Sequence, residues 1–246
     1  LLSVYDLFID GTILHAVLSH IFLHFYDCKA AALKSGILNL VKNEITTYGD
    51  NYSRFKKIMK TVSCLIYDFP QGQNALLNSW TIDPLIEFFD TSDTMMKFYL
   101  CYAYKNETTQ KSFCGKLLDL VFDEFDKTRV SPPLLLRLIA SILHSPEVRK
   151  ECYKQKRIQK VLPRLNYAIS QKDHDLYEGM LYIMYTLTCY EDGKEELFDK
   201  SRITDVFILM LSNQNITKLP IFSLLIGNLK TNNVTWKALT YATRRT

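Results

Sequence analysis

Three stretches of the 246-residue chain hold side chains that could do chemistry. "HIFLHFYDC" places His20, His24 and Cys28 at i, i+4 and i+8, which on an unbroken helix brings two imidazoles and a thiol to one side. Zinc needs a fourth ligand. His15 falls elsewhere on the wheel and no C-x-x-C pair is present, so these groups read as polar-tipped core residues and no metal is expected. "LLDLVFDEFDK" lines up Asp119, Asp123, Glu124 and Asp126. Paired carboxylates do acid–base work only in a cleft that separates their pKa values; here they occupy the polar side of an amphipathic helix and read as a solvated face. The third stretch, Glu147 to Lys172, is basic. Eight cations against two carboxylates give +6, more than the +4 of the whole chain. Its ledge of Arg149, Lys150, Lys154, Lys156, Arg157 and Lys160 suits an acidic protein segment, or less well nucleic acid, since no aromatic interleaving or known binding motif accompanies the charge. The acidic and basic stretches are complementary, which also admits a homodimerising structural domain. No nucleotide loop, dinucleotide fingerprint, nucleophile elbow or metalloprotease helix occurs; neither an enzyme nor a cofactor is expected.

The elements that must carry these groups read as helices. Glycine and proline number only 8 and 7, too few for a sandwich or barrel rich in tight turns. In "KLLDLVFDEF", Leu117, Leu118, Val121, Phe122 and Phe125 share a face; in "GILNLVKNEI", Ile37, Leu38, Val41 and Ile45 do the same. Longer runs such as "MMKFYLCYAY", "PLLLRLIASIL", "LYEGMLYIMYTLTCY" and "IFSLLIGNL" are apolar nearly all round, as helices packed on both flanks should be. Pro133 and Pro220 stand where helices can begin.

These segments recur. The short segments "CKAAAL", "QNALL", "TTQKSF", "VRKEC", "KEELF" and "TWKAL" end on Leu33, Leu77, Phe113, Cys152, Phe198 and Leu239, at spacings of 36 to 46 residues. A short helix, a second helix and a long third helix repeating about every 40 residues resembles the armadillo or HEAT array. "KSGILNLVK" and "FCGKLLDLV" keep the family's glycine before the second helix, at Gly36 and Gly115, whereas Trp80, Arg157 and Ser201 take that place elsewhere. The resemblance implies an all-α, armadillo-like α-solenoid of about five to six degenerate repeats, one domain over residues 1–246, with third helices lining a concave side and with "LLSVYDLF" and "KALTYATRR" as caps.

Specialised members of that family clamp peptides with a ladder of Asn and Trp. The equivalent places here are Leu65, Cys101, Ala140, Thr186 and Gly227, so the ladder is absent and side chains must read any partner. The implied function is non-catalytic: a protein–protein interaction or scaffold module for a peptide or helical segment of another protein. Lys97, Arg137, Tyr182 and Ser223 would serve as concave anchors, and the basic ledge would supply charge. Tyr182 is the best aromatic anchor, because most other third-helix aromatics read as core. The six cysteines sit within or beside apolar runs, as reduced core thiols in an intracellular protein, cytoplasmic or nuclear, would. Four N-x-S/T triplets, at Asn51, Asn106, Asn215 and Asn233, point weakly the other way. The apolar run "ILHAVLSHIFLHFY" is too short and too rich in histidine to span a bilayer, and the chain reads as a segment of a longer protein without a membrane partner.

Overall fold

The computed structural model describes residues 11–48, 51–79, 89–127, 132–199 and 203–230. Every regular element among them is helical, as sequence periodicity demands; there is no strand. The chain gathers into two compact units, Leu1–Ser112 and Phe113–Thr246.

In the first unit the helices are α1 (Gly11–His24), α2 (Tyr26–Lys34), α3 (Ile37–Tyr48), α4 (Tyr52–Ile66), α5 (Pro70–Ser79), α6 (Asp93–Ala103) and α7 (Glu107–Lys111). α4 lies between α1 and α6. Its last six residues, Thr61 to Ile66, are all buried, so its apolar surface is covered on every side. Asn51 starts this helix by accepting a 3.1 Å hydrogen bond from the Arg54 amide. Where α1, α3 and α4 meet, buried His15 contacts Glu44 through Nε2 at 2.8 Å and Thr61 Oγ1 through Nδ1 at 3.1 Å. Arg54 donates to the other Glu44 oxygen at 2.8 Å, so this buried carboxylate is bound on both sides.

The second unit holds α8 (Lys116–Lys127), α9 (Pro133–Ile142), α10 (Pro146–Lys154), a 3₁₀ turn (Ile158–Lys160), α11 (Val161–Gln171), α12 (His174–Thr188), α13 (Glu191–Asp199), α14 (Ile203–Ser212), α15 (Gln214–Thr217) and α16 (Pro220–Lys230). α12 lies between α9 and α16, as α4 does between its neighbours. Asp173 caps it, accepting from the Leu176 amide at 3.0 Å. Close approach to α9 requires a glycine: a Cβ at Gly179 would stand 2.8 Å from Leu136 Cβ and 2.4 Å from its Cδ1.

The turn after the short helices is also legible. Gly36 and Gly115 adopt left-handed backbone, with φ of +77° and +86°. After α10 the left-handed residue is Lys156, at φ 55°, one position before Arg157, which the sequence alignment had placed there. The Lys156 amide donates to Tyr153 O and the Arg157 amide to Cys152 O, closing α10 in the manner that glycine normally serves.

Gly179 and Gly227 are both helical, yet only the first is tightly packed; nothing lies within 4 Å of a Cβ on Gly227. Gly179→Val is expected to cost about 1–3 kcal/mol by overpacking α12 against Leu136. Gly227→Ala should instead stabilise by up to about 1 kcal/mol through helix propensity. Urea unfolding midpoints of the two variants check both signs.

Candidate functional site

The basic stretch is built from α10, the 3₁₀ turn and α11. Arg149, expected on its open ledge, is buried. Its guanidinium donates to the carbonyls of Leu143 and His144 at the end of α9, both at 3.0 Å, and pairs with Asp192 at 2.8 Å. The same group stacks 3.6 Å from the Tyr190 ring centroid. It therefore ties α9 to the start of α13.

The acidic helix α8 meets the basic stretch within this unit. Arg157 pairs with Asp119 and lies over the Phe122 ring; Lys160 pairs with Asp126. Arg164 approaches Asp126 at 4.0 Å and covers Phe125. Much of the complementarity that suggested docking between molecules is thus satisfied inside one unit. Lys150, Lys154 and Lys156 remain exposed, and none makes an ion pair among the described residues.

Of the four expected anchors, Arg137 on α9 and Tyr182 on α12 come together, the guanidinium 5.7 Å from the ring centroid. Arg137 is exposed and Tyr182 half-buried. Ser223 is exposed on α16, the next long helix of the same unit. Lys97 is exposed on α6 in the first unit. Phe98, Tyr99 and Tyr102, on the other sides of α6, are wholly buried.

The histidines and cysteine that the sequence spacing aligned do not come together. His20 and His24 are exposed, their rings 4.5 Å apart and tilted by 55°, rather than entering the core. The helix breaks at Phe25, so Cys28 begins a new one and the i, i+4, i+8 alignment is lost. No group of three metal-binding side chains occurs among the described residues. None of the six cysteines is joined in a disulfide, and Cys28, Cys114 and Cys189 are exposed, against the expectation that they pack inside. Burial pushes the Cys101 and Cys152 thiols up to about 12, leaving them protonated and unreactive at neutral pH. Asn106 is buried and fully engaged: its amide donates to Gln73 and Asn74, both at 3.0 Å, and its oxygen accepts from the Thr108 and Thr109 amides. That triplet serves as a helix cap and is not open to a glycan. No described helix is long and apolar enough to cross a membrane.

Trp80, Ser201, Trp236, Asn233, the anchor Leu239 and the two expected caps lie outside the described residues. No protein-family model matches the chain, and no curated protein is significantly similar to it.

The structure sets the expected anchor Lys97 of α6 in a face that sequence reading did not assemble: Tyr52, Lys56 and Lys60 of α4, with Tyr67 and Tyr104 just past the ends of the two helices. The four-residue spacing of Tyr52, Lys56 and Lys60 was the available signal.

Arg149→Met keeps a long apolar stem but strips the donors from two carbonyls, and should cost about 1–3 kcal/mol. Lys154→Met, on the exposed surface, should stay within about 0.5 kcal/mol of the parent chain. Equal unfolding midpoints for the two would remove the structural role of Arg149.

Proposed function

We propose that this chain is a non-catalytic binding module, an armadillo-like repeat array that takes a peptide or helical segment of another protein on its long helices. The repeat reading is supported by like elements lying on like. α1, α4 and α6 stack in sequence in the first unit, and α9, α12 and α16 in the second. The short helices α2, α5 and α7 form another row, and α11 lies on α14. Four residues before the anchors Leu33, Leu77, Phe113 and Phe198 stand Lys29, Gln73, Thr109 and Lys194, each a buried polar side chain in its short helix. Lys29 reaches the Tyr67 carbonyl at 2.6 Å, Gln73 reaches those of Cys101 and Tyr104 at 2.7 and 3.0 Å, and Thr109 that of Tyr102 at 2.6 Å. At the first three of these places the side chain thus closes the end of a long helix, whereas Lys194 pairs with Glu191 in its own helix.

One observation carries the functional reading. Arg137 and Tyr182, from successive long helices, form an accessible cation–aromatic pair whose neighbours on those helices are almost all buried. Tyrosine and arginine at such a place offer contact area and directional donors at small entropic cost. The neutralisation of Arg149, Arg157, Lys160 and Arg164 from within argues against a continuous phosphate-binding track on the basic stretch.

Selection of a random peptide display library on the whole chain tests this. A consensus should emerge, and the Arg137→Glu/Tyr182→Ala variant should bind the selected peptide about tenfold more weakly while keeping its helical circular dichroism. Failure to enrich any sequence would contradict the proposal.

A further inference from the structure

The α4–α6 face of the first unit presents cations in register. One cross-helix contact fixes that register: the rings of Tyr67 and Tyr104, just past the ends of the two packed helices, lie 5.4 Å apart. Seven residues earlier on each helix stand Lys60 and Lys97, both exposed, and neither makes an ion pair among the described residues. The adjacent cations differ. Lys56 lies over the Tyr52 ring, 4.3 Å from its centroid, and feels Asp90; Lys105 lies over Tyr104 at 4.7 Å and feels Asp68. The face therefore centres on two lysines that make no ion pair among the described residues, with a tyrosine pair two turns along it.

The nature of the ligand follows from what is already occupied. Base stacking needs free aromatic faces. Here Tyr67 meets Tyr104 and is approached by Lys29, while Lys56 and Lys105 cover Tyr52 and Tyr104. Point-charge ammonium groups on long stems suit separated carboxylates, whereas planar bidentate recognition of phosphate favours arginine. Packed helices stand about 8–10 Å apart. Flexible lysine stems can close that gap to the ~7 Å between alternate residues of an extended strand.

We propose that the α4–α6 face binds an extended acidic protein segment running across the two helices, with carboxylates two residues apart on Lys60 and Lys97. This rests on the reading of the chain as a peptide-binding module, and gives that module a second contact surface with a defined charge requirement.

The test uses the whole chain and a fluorescein-labelled peptide, Gly-Ser-Glu-Ser-Glu-Ser-Leu-Ser-Gly, titrated by fluorescence anisotropy at low and physiological salt. The peptide should bind at low salt and weaken as salt rises. Lys60→Glu/Lys97→Glu should lose roughly tenfold or more in affinity, while Lys150→Glu/Lys154→Glu in the second unit binds like the parent chain. Circular dichroism and unfolding midpoints verify that the surface variants fold. Peptide binding that survives the Lys60/Lys97 reversal but not the Lys150/Lys154 reversal overturns this site and leaves the module reading standing. No binding of the acidic peptide at low salt also overturns it, with display-selected peptides reporting separately on the module. A labelled oligothymidylate that binds more tightly than the peptide and loses affinity in the same Lys60/Lys97 variant would replace the acidic segment with nucleic acid.

Discussion

A helix that is apolar all round has no stable place at a surface; it must be covered on both flanks. The second half of α4 and most of α12 meet this constraint in the same way, each between two other long helices of its unit. Thr61 to Ile66 on α4, and all but Tyr182 and Tyr185 between Gly179 and Thr188 on α12, are buried. The remaining helices of each unit keep these two stretches dry. Gly179 shows how tight the fit is, since the α9–α12 approach leaves no room for a single added methyl group. The end of each described stack is correspondingly less covered: Ile13, Val17 and Leu23 on α1 and Leu224 on α16 are exposed.

Stacking long helices this closely creates a second problem, because their terminal carbonyls become enclosed away from water. Polar side chains from short helices solve it. The four carbonyls from Cys101 to Tyr104 at the end of α6 are each met by a side chain: Gln73 takes the first and last, Thr109 the second and Gln110 the third. Lys29 and Arg149 do the same for α4 and α9. Burial lowers the pKa of Lys29, which is the electrostatic cost of placing an ammonium there. These residues are charged or amide-bearing in sequence and resemble surface groups, yet they hold the interior together. What remains for a partner is the smaller set of side chains that no interior role consumes.

Much of the architecture was legible because local periodicity carries it. The apolar face of α8, the buried aromatics of α6, the near-complete burial of the second half of α12, the helix starts at Pro133 and Pro220, and the glycine turns at Gly36 and Gly115 all follow from residues within a few positions of one another. Long-range pairing was not legible. Asp119 and Arg157 lie 38 residues apart, and nothing in either stretch announces that they meet, so half of a ledge that looked free is paired from within. The same gap hid the α4–α6 face, whose register depends on how two helices 37 positions apart align. The turn at Lys156 was misplaced by one residue because a lysine can occupy the left-handed conformation that glycine signals elsewhere. The break at Phe25, which separates Cys28 from the two histidines, carries no proline or glycine to mark it.

Nearest-neighbour coverage of the long helices is the claim on which both binding faces depend. Native-state hydrogen exchange resolved by mass spectrometry reads it directly, helix by helix, on the whole chain. The amides of Tyr52–Ile66 should exchange more slowly than those of Gly11–His24, and those of His174–Thr188 more slowly than those of Pro220–Lys230. Equal or faster exchange in either flanked helix would contradict the account.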